Sequence, residues 1–303
     1  MFHGMKVVVS GDCYETEGNA MILMNHRTRL DWIYLFGYLF RGKILHKQKI
    51  VLKSQIKWIP GVGWSMQAGG GIFLDRSWNS DQTNIVKMLD HFNMLESNYN
   101  ILFFPEGTDF SEQNKIKSDK FATKAGLPRY EHVLHPRVVG LNCIVDHMRK
   151  SNSIDAIYDI TVAYSHDIPQ SESDIIMRGP PKVVHYHIRR YPISELPVGD
   201  VSSWCRNVWQ QKENLLHEFY NELNPSCRQF ETKHEEKSNV FVLIMGFIFW
   251  VLFSLLCTYM LAMNLYVRCY FVAVALFFIS GTYLFGGIEK LQIMFWEKFH
   301  KNY

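Results

Sequence analysis

The sequence predicts an α/β fold, in which a mixed, mostly parallel β-sheet is flanked by helices and followed by a C-terminal transmembrane helical hairpin. Two observations support this fold class. Short apolar or β-branched runs alternate with helical patterns over roughly the first 200 residues, as in sheets whose strands are connected by helices. Residues 239–288 are almost free of charge, although 20% of the whole chain is charged.

The strands are predicted from short apolar or β-branched runs that are bounded by turn residues. These runs are Lys6–Val9, Ala20–Met24, Lys49–Leu52, Gly71–Leu74, Asn100–Phe104, Ala156–Tyr164 and Val183–Ile188. The helices are predicted from apolar positions at helical spacing, and Gly126 with Pro128 just beyond it ends the last of them. The helical segments are Asp31–Phe40, Asp81–Tyr99 and Lys115–Gly126.

The predicted domain organisation has four parts. Residues 1–200 form the α/β domain, and residues 201–238 form an amphipathic helix followed by a charged linker. Within that second part, Val201–Leu223 is expected to pack against the α/β domain through its apolar face. Residues 239–288 form two transmembrane or re-entrant helices, and residues 289–303 form a short cytosolic tail.

The membrane prediction rests on two apolar runs near the C-terminus. Val240–Met263 has no charged residue over 24 positions, and about 20 apolar residues are enough to span a bilayer. Cys269–Ile288 is a second run, separated from the first by a short segment that contains Arg268. Lysines are concentrated in the outer flanks, so the positive-inside rule places both flanks and the α/β domain in the cytosol.

The distribution of charge indicates an anionic ligand. The net charge of +3 is too small to indicate nucleic acid. From Arg27 to Lys57, however, eight Lys or Arg residues accompany a single acid, Asp31. Such a stretch attracts phosphate groups or an anionic membrane surface.

Neither the cysteines nor the histidines form a metal-binding pattern. The six cysteines include no CxxC pair, which argues against a zinc site and against a disulfide framework. The closely spaced pairs His132/His135 and His185/His187 lack a third ligand at suitable spacing. They are interpreted as exposed strand positions, and no metal site is predicted.

The first candidate for chemistry is the pair His26 and Asp31. His26 follows the predicted strand Ala20–Met24, and Asp31 begins a helical pattern. This spacing brings a carboxylate to one imidazole nitrogen and leaves the other nitrogen free to accept a proton from a hydroxyl. A single His near an Asp is more often structural, so the interpretation depends on three further segments.

These segments also follow or interrupt predicted strands. Phe104–Thr108 places Glu106 and Gly107 after a strand, on the sheet edge where open α/β sheets bind ligands. Gly71–Arg76 ends in an arginine that can form bidentate contacts with a phosphate. Val133–Arg137 is predicted to be a short strand broken by Pro136.

In this order the four blocks resemble those of the glycerolipid acyltransferase family of 1-acylglycerol-3-phosphate type, including its His-x4-Asp motif. The resemblance implies that His26 is the general base and that Asp31 orients it. It implies an acyl-CoA co-substrate, with no bound cofactor and no metal. It also implies that Arg76 helps to hold the phosphate of the acceptor. The full set of residues with implied substrate-binding roles is Arg76, Glu106, Gly107, Thr108, Asn25 and Arg29.

The expected activity is acylation of the free hydroxyl of an anionic lysophospholipid in phospholipid remodelling, at the endoplasmic reticulum membrane in a multi-pass protein. The candidate acceptors are lysocardiolipin, lysophosphatidylinositol, lysophosphatidylglycerol and lysophosphatidic acid. Members of this family usually have membrane helices before the His block, whereas 24 residues precede Asn25 here. That difference favours an alternative, a truncated and non-catalytic membrane-anchored scaffold. A third possibility is an enzyme that acts on glycerol-3-phosphate.

Overall fold

A computed structural model describes residues 5–14, 18–42, 44–95, 98–166, 168–230, 234–235 and 240–300. The chain forms two compact units. The first unit comprises Met1–Gln48 and Ser97–Ser238, and the second comprises Lys49–Glu96 and Asn239–Tyr303. The four-part linear division stays a prediction.

Strands and helices alternate along much of the chain, and the C-terminal part is mainly helical. In chain order the elements are β1 (Lys6–Gly11), β2 (Ala20–Met24), α1 (Asp31–Arg41), β3 (Gln48–Lys53), α2 (Val62–Ala68), β4 (Ile72–Leu74), α3 (Trp78–Met94), β5 (Asn100–Phe103), α4 (Glu112–Ala125), α5 (Val138–Lys150), β6 (Ala156–Tyr164), α6 (Glu172–Arg178), β7 (Val183–Pro192), α7 (Ser202–Asn221), β8 (His234–Glu235), α8 (Val240–Met263), α9 (Leu265–Phe285) and α10 (Ile288–His300).

The sheet of the first unit has the strand order β5-β2-β6-β7-β1-β8. β2 is parallel to both β5 and β6, whereas β7 is antiparallel to β6 and parallel to β1. The predicted mixed α/β architecture is therefore confirmed. Because β5, β2 and β6 run in the same direction, their carboxyl ends meet at one edge of the sheet.

The centre of this unit is β6, all nine residues of which are buried. A strand covered on both faces is expected to be apolar throughout, but β6 contains the buried acid Asp159. Lys212 of α7 compensates this charge, with its Nζ 2.6 Å from an Asp159 carboxylate oxygen. The same ammonium donates to the Ile160 carbonyl at 2.7 Å and to the Thr161 hydroxyl at 3.1 Å. The predicted packing of the amphipathic helix on its own domain is thus confirmed.

The second unit contains the parallel pair β3 and β4 together with the C-terminal helices. Gln67 of α2 is buried and accepts hydrogen bonds from the Thr282 hydroxyl and the Ile288 amide, at 3.3 and 2.9 Å. Lys57 forms a buried ion pair with Glu289 at 2.5 Å. These polar contacts join α9 and α10 to the segment 57–67. Leu265–Phe285 is long and apolar enough to cross a membrane, and Ile248–Met263 is a shorter apolar helical stretch.

Two local predictions are wrong. Residues 133–137 are irregular and lead into α5, a helix that the sequence analysis missed. Its helical spacing is visible in its buried positions, Val138, Leu141, Ile144, Val145 and Met148.

The second error concerns the histidines. His135 and His185 are buried rather than exposed, and neither His132 nor His135 lies on a strand. Burial is possible because His185 bonds the Ser165 hydroxyl and His135 Nε2 lies 2.9 Å from the Pro128 carbonyl. Ile288–His300 forms the helix α10, and the cytosolic location of residues 289–303 stays a prediction.

We expect Lys212→Met to destabilise the first unit strongly, because it leaves the carboxylate of Asp159 buried without its ion-pair partner. Removing one member of a buried pair costs about 3–5 kcal/mol, which corresponds to a fall in melting temperature of about 10 °C. Thermal unfolding in detergent measures this change. Lys150→Met is the matched control, because its ion pair with Asp146 is exposed and such a pair contributes less than about 1 kcal/mol. Equal melting temperatures for the two variants would contradict the prediction.

Candidate active site

The site lies at the sheet edge where β5 and β2 end. Asn25 directly follows β2 and is buried, with both ends of its amide bonded to the backbone of Val162 in β6. Its Nδ2 donates to the Val162 carbonyl at 3.1 Å, and its Oδ1 accepts from the Val162 amide at 2.8 Å. These bonds fix the point at which the chain leaves the sheet, so that the next residue, His26, has a defined position.

His26 is held through its backbone and its ring. Its amide donates to Glu106 Oε1 at 3.3 Å, and its carbonyl accepts from the Phe110 amide at 2.7 Å. The ring stacks on Phe104 with centroids 4.2 Å apart. Nδ1 lies 3.0 Å from Asp31 Oδ2, whereas Nε2 makes no hydrogen bond to any residue that the structure describes. The predicted His–Asp pair is therefore present, with one ring nitrogen occupied and one free.

Asp31 is fully buried, and its carboxylate has a donor for each oxygen. Oδ2 accepts from the Thr28 amide at 3.0 Å and faces His26, while Oδ1 accepts from the hydroxyl of Tyr164 at the end of β6. Burial, with the nearby Asp31 charge, raises the pKa of Tyr164 well above its usual value, so Tyr164 remains a donor. The position of Asp31 as the first residue of α1 also suits a negative charge, because the helix dipole is positive at that end.

Glu106 is the second buried acid of the site. Oε1 accepts from the His26 amide and from the indole of Trp209, each at 3.3 Å. Burial raises the pKa of Glu106 to about 7, although the nearby His26 and these donors act in the opposite direction. Near neutral pH this side chain therefore exchanges readily between its protonated and ionised forms.

The turn after Glu106 brings a further cation to the site. Gly107 has a φ of 71°, a left-handed conformation that favours glycine. The side chain of Arg137 packs against Gly107, since a Cβ at that position would lie 3.4 Å from Arg137 Cδ and Nε. The Arg137 amide donates to the Pro105 carbonyl at 2.7 Å. Its guanidinium is exposed and has no hydrogen bond or ion pair within the described ranges.

The other predicted substrate-binding residues have different surroundings. The hydroxyl of Thr108 accepts from Asn114 at 3.1 Å and donates to Asp109 at 3.3 Å. Arg29 forms an exposed ion pair with Glu172. Arg76 belongs to the second unit, where it follows β4 with a φ of 65°.

One face of α7 supports the site, and the sequence analysis did not assign this role. Trp209 donates to Glu106, and the carboxylate of Glu213 accepts from the backbone amides of residues 131–133 at 2.6–3.3 Å. That segment leads directly to Arg137. The recognisable signal was the pair of charged residues, Lys212 and Glu213, on the apolar side of an amphipathic helix, where a charge needs a specific partner.

The family model described as "Acyltransferase" matches residues 6–165, and the model described as "Acyltransferase C-terminus" matches residues 175–250. The chain therefore belongs to the acyltransferase family, which confirms the resemblance of the four sequence blocks.

Relatives are similar over nearly the whole chain. Lysocardiolipin acyltransferase 1 of Mus musculus is 40% identical over 305 residues, which cover 99% of this chain and 81% of the mouse protein. The protein of the same name from Gallus gallus is 37% identical, with 100% and 82% covered. Lysophosphatidylinositol acyltransferase 10 of Caenorhabditis elegans is 38% identical, with 99% and 80% covered.

The raised pKa of Glu106 predicts a pH-dependent loss of stability. Its proton is held more tightly in the folded state than at the ordinary pKa of 4.5. Below about pH 4.5 the Glu106 carboxyl is protonated in both the folded and the unfolded state. As the pH rises to about 7, it ionises first in the unfolded state, which lowers the free energy of that state relative to the folded one. We therefore expect the stability of the unsubstituted protein to fall relative to Glu106→Gln between pH 4.5 and 7, by on the order of 3 kcal/mol.

Unfolding in denaturant at pH 5 and pH 8 tests this expectation, since Gln still accepts the bonds from His26 and Trp209. Glu112→Gln serves as the control because Glu112 is exposed at the start of α4. If the stability difference between Glu106→Gln and the unsubstituted protein were the same at both pH values, Glu106 would not titrate in this range.

Proposed function

We propose that this chain is an acyl-CoA-dependent O-acyltransferase that acylates the free hydroxyl of an anionic lysophospholipid. The observation that carries the proposal is the 3.0 Å contact between His26 Nδ1 and Asp31 Oδ2, with Nε2 left without a partner among the described residues. An imidazole held in this way is a general base for a hydroxyl group. The names of the relatives, which refer to lysocardiolipin and lysophosphatidylinositol, support a lysophospholipid acceptor.

The reaction needs no covalent enzyme intermediate. Asp31 accepts a hydrogen bond from the Nδ1–H of His26, so that the lone pair of Nε2 points away from Asp31. Nε2 takes the proton of the acceptor hydroxyl as the hydroxyl oxygen attacks the thioester carbonyl of acyl-CoA. The tetrahedral intermediate then collapses, the C–S bond breaks, and the protonated His26 returns its proton to the leaving CoA thiolate. The products are an acylated phospholipid and free CoA.

The acceptor phosphate is assigned to the turn after β5. Arg137 packs on Gly107, and its guanidinium has no partner among the described residues. Arginine makes bidentate hydrogen bonds to phosphate, and the neighbouring Glu106 contacts the backbone of His26. Gly107 and Thr108 belong to the same turn. Asn25 contributes indirectly, because it fixes the loop that contains His26. Arg76 and Arg29 remain proposed phosphate contacts on the strength of the family resemblance.

The location of the enzyme also belongs to the proposal. Leu265–Phe285 is apolar enough to span a bilayer, and Val240–Met263 is an apolar helix that precedes it directly. We assign these two helices to a membrane hairpin of a multi-pass protein in the endoplasmic reticulum. The lysine-rich flanks support a cytosolic catalytic unit, because the positive-inside rule relates such flanks to the cytosolic side.

We expect His26→Ala to lower the rate of transfer at least about 1,000-fold, because general-base catalysis and the orientation of the hydroxyl are both lost. Asp31→Asn should cause a comparable loss, since the amide no longer selects the His26 tautomer with a free Nε2. The assay follows labelled oleoyl or linoleoyl groups from acyl-CoA in membranes that contain the chain. The acceptors are lysocardiolipin, lysophosphatidylinositol, lysophosphatidylglycerol, lysophosphatidic acid and glycerol-3-phosphate.

His46→Ala is the matched control for this assay, because His46 lies outside the site, in the turn before β3. Full activity of His26→Ala would refute the mechanism. Transfer to glycerol-3-phosphate alone would refute the lysophospholipid acceptor. Absence of transfer to every acceptor by folded, membrane-bound protein would favour a non-catalytic scaffold.

A second kinetic prediction concerns Arg137. Loss of a charged hydrogen-bond donor to phosphate costs about 1.5–3 kcal/mol, so Arg137→Gln should raise KM for the acceptor about tenfold or more and leave KM for acyl-CoA unchanged. Arg129→Gln is the control, because Arg129 is an exposed arginine that bonds the Thr123 hydroxyl. An unchanged KM for every acceptor would exclude Arg137 from phosphate binding.

A further inference from the structure

A pocket of about 350 Å³ lies in the first unit beside the carboxyl end of β6. Ser165 and His166, the first residues after β6, form one wall. Pro169, the segment 178–182 and Arg228 also line the pocket. None of these residues belongs to the His26–Asp31 pair or to the turn that contains Glu106, so the proposed mechanism assigns no role to the pocket.

The charged residues of the pocket are mainly cationic. Arg178, Lys182 and Arg228 line it, together with one acid, Asp174. The carboxylate of Asp174 is already engaged in the capping of α6, where it accepts from the Gln170 and Ser171 amides at 3.0 Å each. The described lining therefore has excess positive charge, which favours an anionic ligand.

Two of these cations are available to a ligand. The side chain of neither Arg178 nor Lys182 makes a hydrogen bond or an ion pair with any described residue, although the charge of Asp174 lies near Arg178. Arg228, in contrast, donates to the carbonyls of Glu222 and Ser165 at 3.0 and 3.2 Å, which fixes its guanidinium in the wall.

The pocket wall also contains an unsatisfied polar atom. His166 Nδ1 is buried and has no hydrogen-bond partner among the described residues. A buried nitrogen without a partner is costly unless a ligand or water satisfies it.

Two contacts connect this pocket to the catalytic pair. The hydroxyl of Thr28, three residues before Asp31, donates to the Pro169 carbonyl at 2.8 Å. Tyr164, which precedes Ser165, donates to Asp31 itself. The register pairs Met24 with Ile160, so β6 continues four residues past the end of β2. At about 3.3 Å per residue and about 4.8 Å between strands, the pocket lies roughly 10–15 Å from His26.

The strand order separates this pocket from the phosphate contact already assigned. β2, which leads to His26, lies between β5 and β6. Arg137 and Gly107 therefore belong to the β5 side of His26, and Arg178, Lys182 and Arg228 belong to the β6 side. A ligand that uses both cationic groups must carry two anionic groups that are far enough apart to reach both sides of His26.

We propose that this pocket is a second phosphate-binding subsite, which holds a distal phosphate of the lipid acceptor. The inference rests on the proposed function and extends it, because it selects acceptors with two phosphates, such as lysocardiolipin, over those with one. A second phosphate joined through a glycerol bridge reaches about as far as the pocket lies from His26. The phosphates of acyl-CoA share this chemistry, so the experiment must separate the two substrates.

The test is charge reversal of the two available cations in the variant Arg178→Glu/Lys182→Glu. We expect KM for lysocardiolipin to rise about tenfold or more, because two charged donors to phosphate are lost. KM for lysophosphatidylglycerol, which has one phosphate, should change less than about twofold, and KM for acyl-CoA should not change. The matched control is Lys120→Glu/Lys124→Glu, which reverses two exposed charges on α4 outside the pocket.

Each outcome has a distinct meaning. A rise in KM for acyl-CoA alone would assign the pocket to the donor and overturn the proposal. Equal effects on both acceptors, or no effect on either substrate, would also overturn it. The conservative variant Arg178→Lys/Lys182→Arg should retain the preference for lysocardiolipin.

A binding measurement keeps the subsite testable even if no transfer is observed. In the His26→Ala background, the affinity for lysocardiolipin in detergent micelles should fall about tenfold on charge reversal, whereas the affinity for lysophosphatidylglycerol should not. Selective loss of affinity without any turnover would support the subsite and refute the proposed activity. Turnover that depends on His26, with no selective effect of charge reversal, would support the activity and refute the subsite.

Discussion

The carboxylate of Asp31 is buried, and the surroundings of His26 follow from the hydrogen-bond donors that this carboxylate needs. An ionised carboxylate removed from water needs several hydrogen-bond donors. Here the donors come from three places: the Thr28 amide, the Tyr164 hydroxyl at the end of β6, and the ring of His26. The loop after β2, the start of α1 and the end of β6 are therefore joined at one group. The orientation of His26 is a consequence of that junction.

A second constraint acts through α7. Its residues Trp209, Lys212 and Glu213 lie on one helix face, because positions three and four apart are neighbours on a helix. Each reaches a different buried polar group: Glu106, Asp159, and the backbone amides of residues 131–133. The helix α7 thus fixes three features together: the carboxylate of Glu106, the central strand β6 and the segment 131–133 that leads to Arg137. This contact pattern explains why the site depends on residues beyond 165, in the region matched by the second family model.

The sequence was sufficient to predict the strands and the His–Asp pair, because β2, β5 and β6 are mainly apolar runs and polar residues follow each of them within three positions. Ala20–Met24 and Ala156–Tyr164 have the predicted bounds. It was not sufficient to predict α5, because Pro136 and the preceding apolar residues suggested a strand. Nor could it predict the roles of Tyr164 and Lys212, since contacts between residues more than 50 positions apart depend on tertiary packing. The side-chain partner of a buried charge is not encoded in local periodicity.

The same limitation changes the interpretation of the basic stretch from Arg27 to Lys57. Several of its cations are engaged by the protein itself: Arg27 stacks over Phe110 at 4.4 Å and donates to the His132 carbonyl, and Lys57 pairs with Glu289. A cation that compensates a buried carbonyl or carboxylate is not free to bind a phosphate without leaving that group unsatisfied. Among the described residues of the first unit, the cations whose side chains make no hydrogen bond or ion pair include Arg137, Arg178 and Lys182. These three are far apart in sequence, so the number of basic residues in one stretch does not indicate where an anionic substrate binds. The relevant basic residues are those whose side chains have no hydrogen bond or ion pair with the described residues.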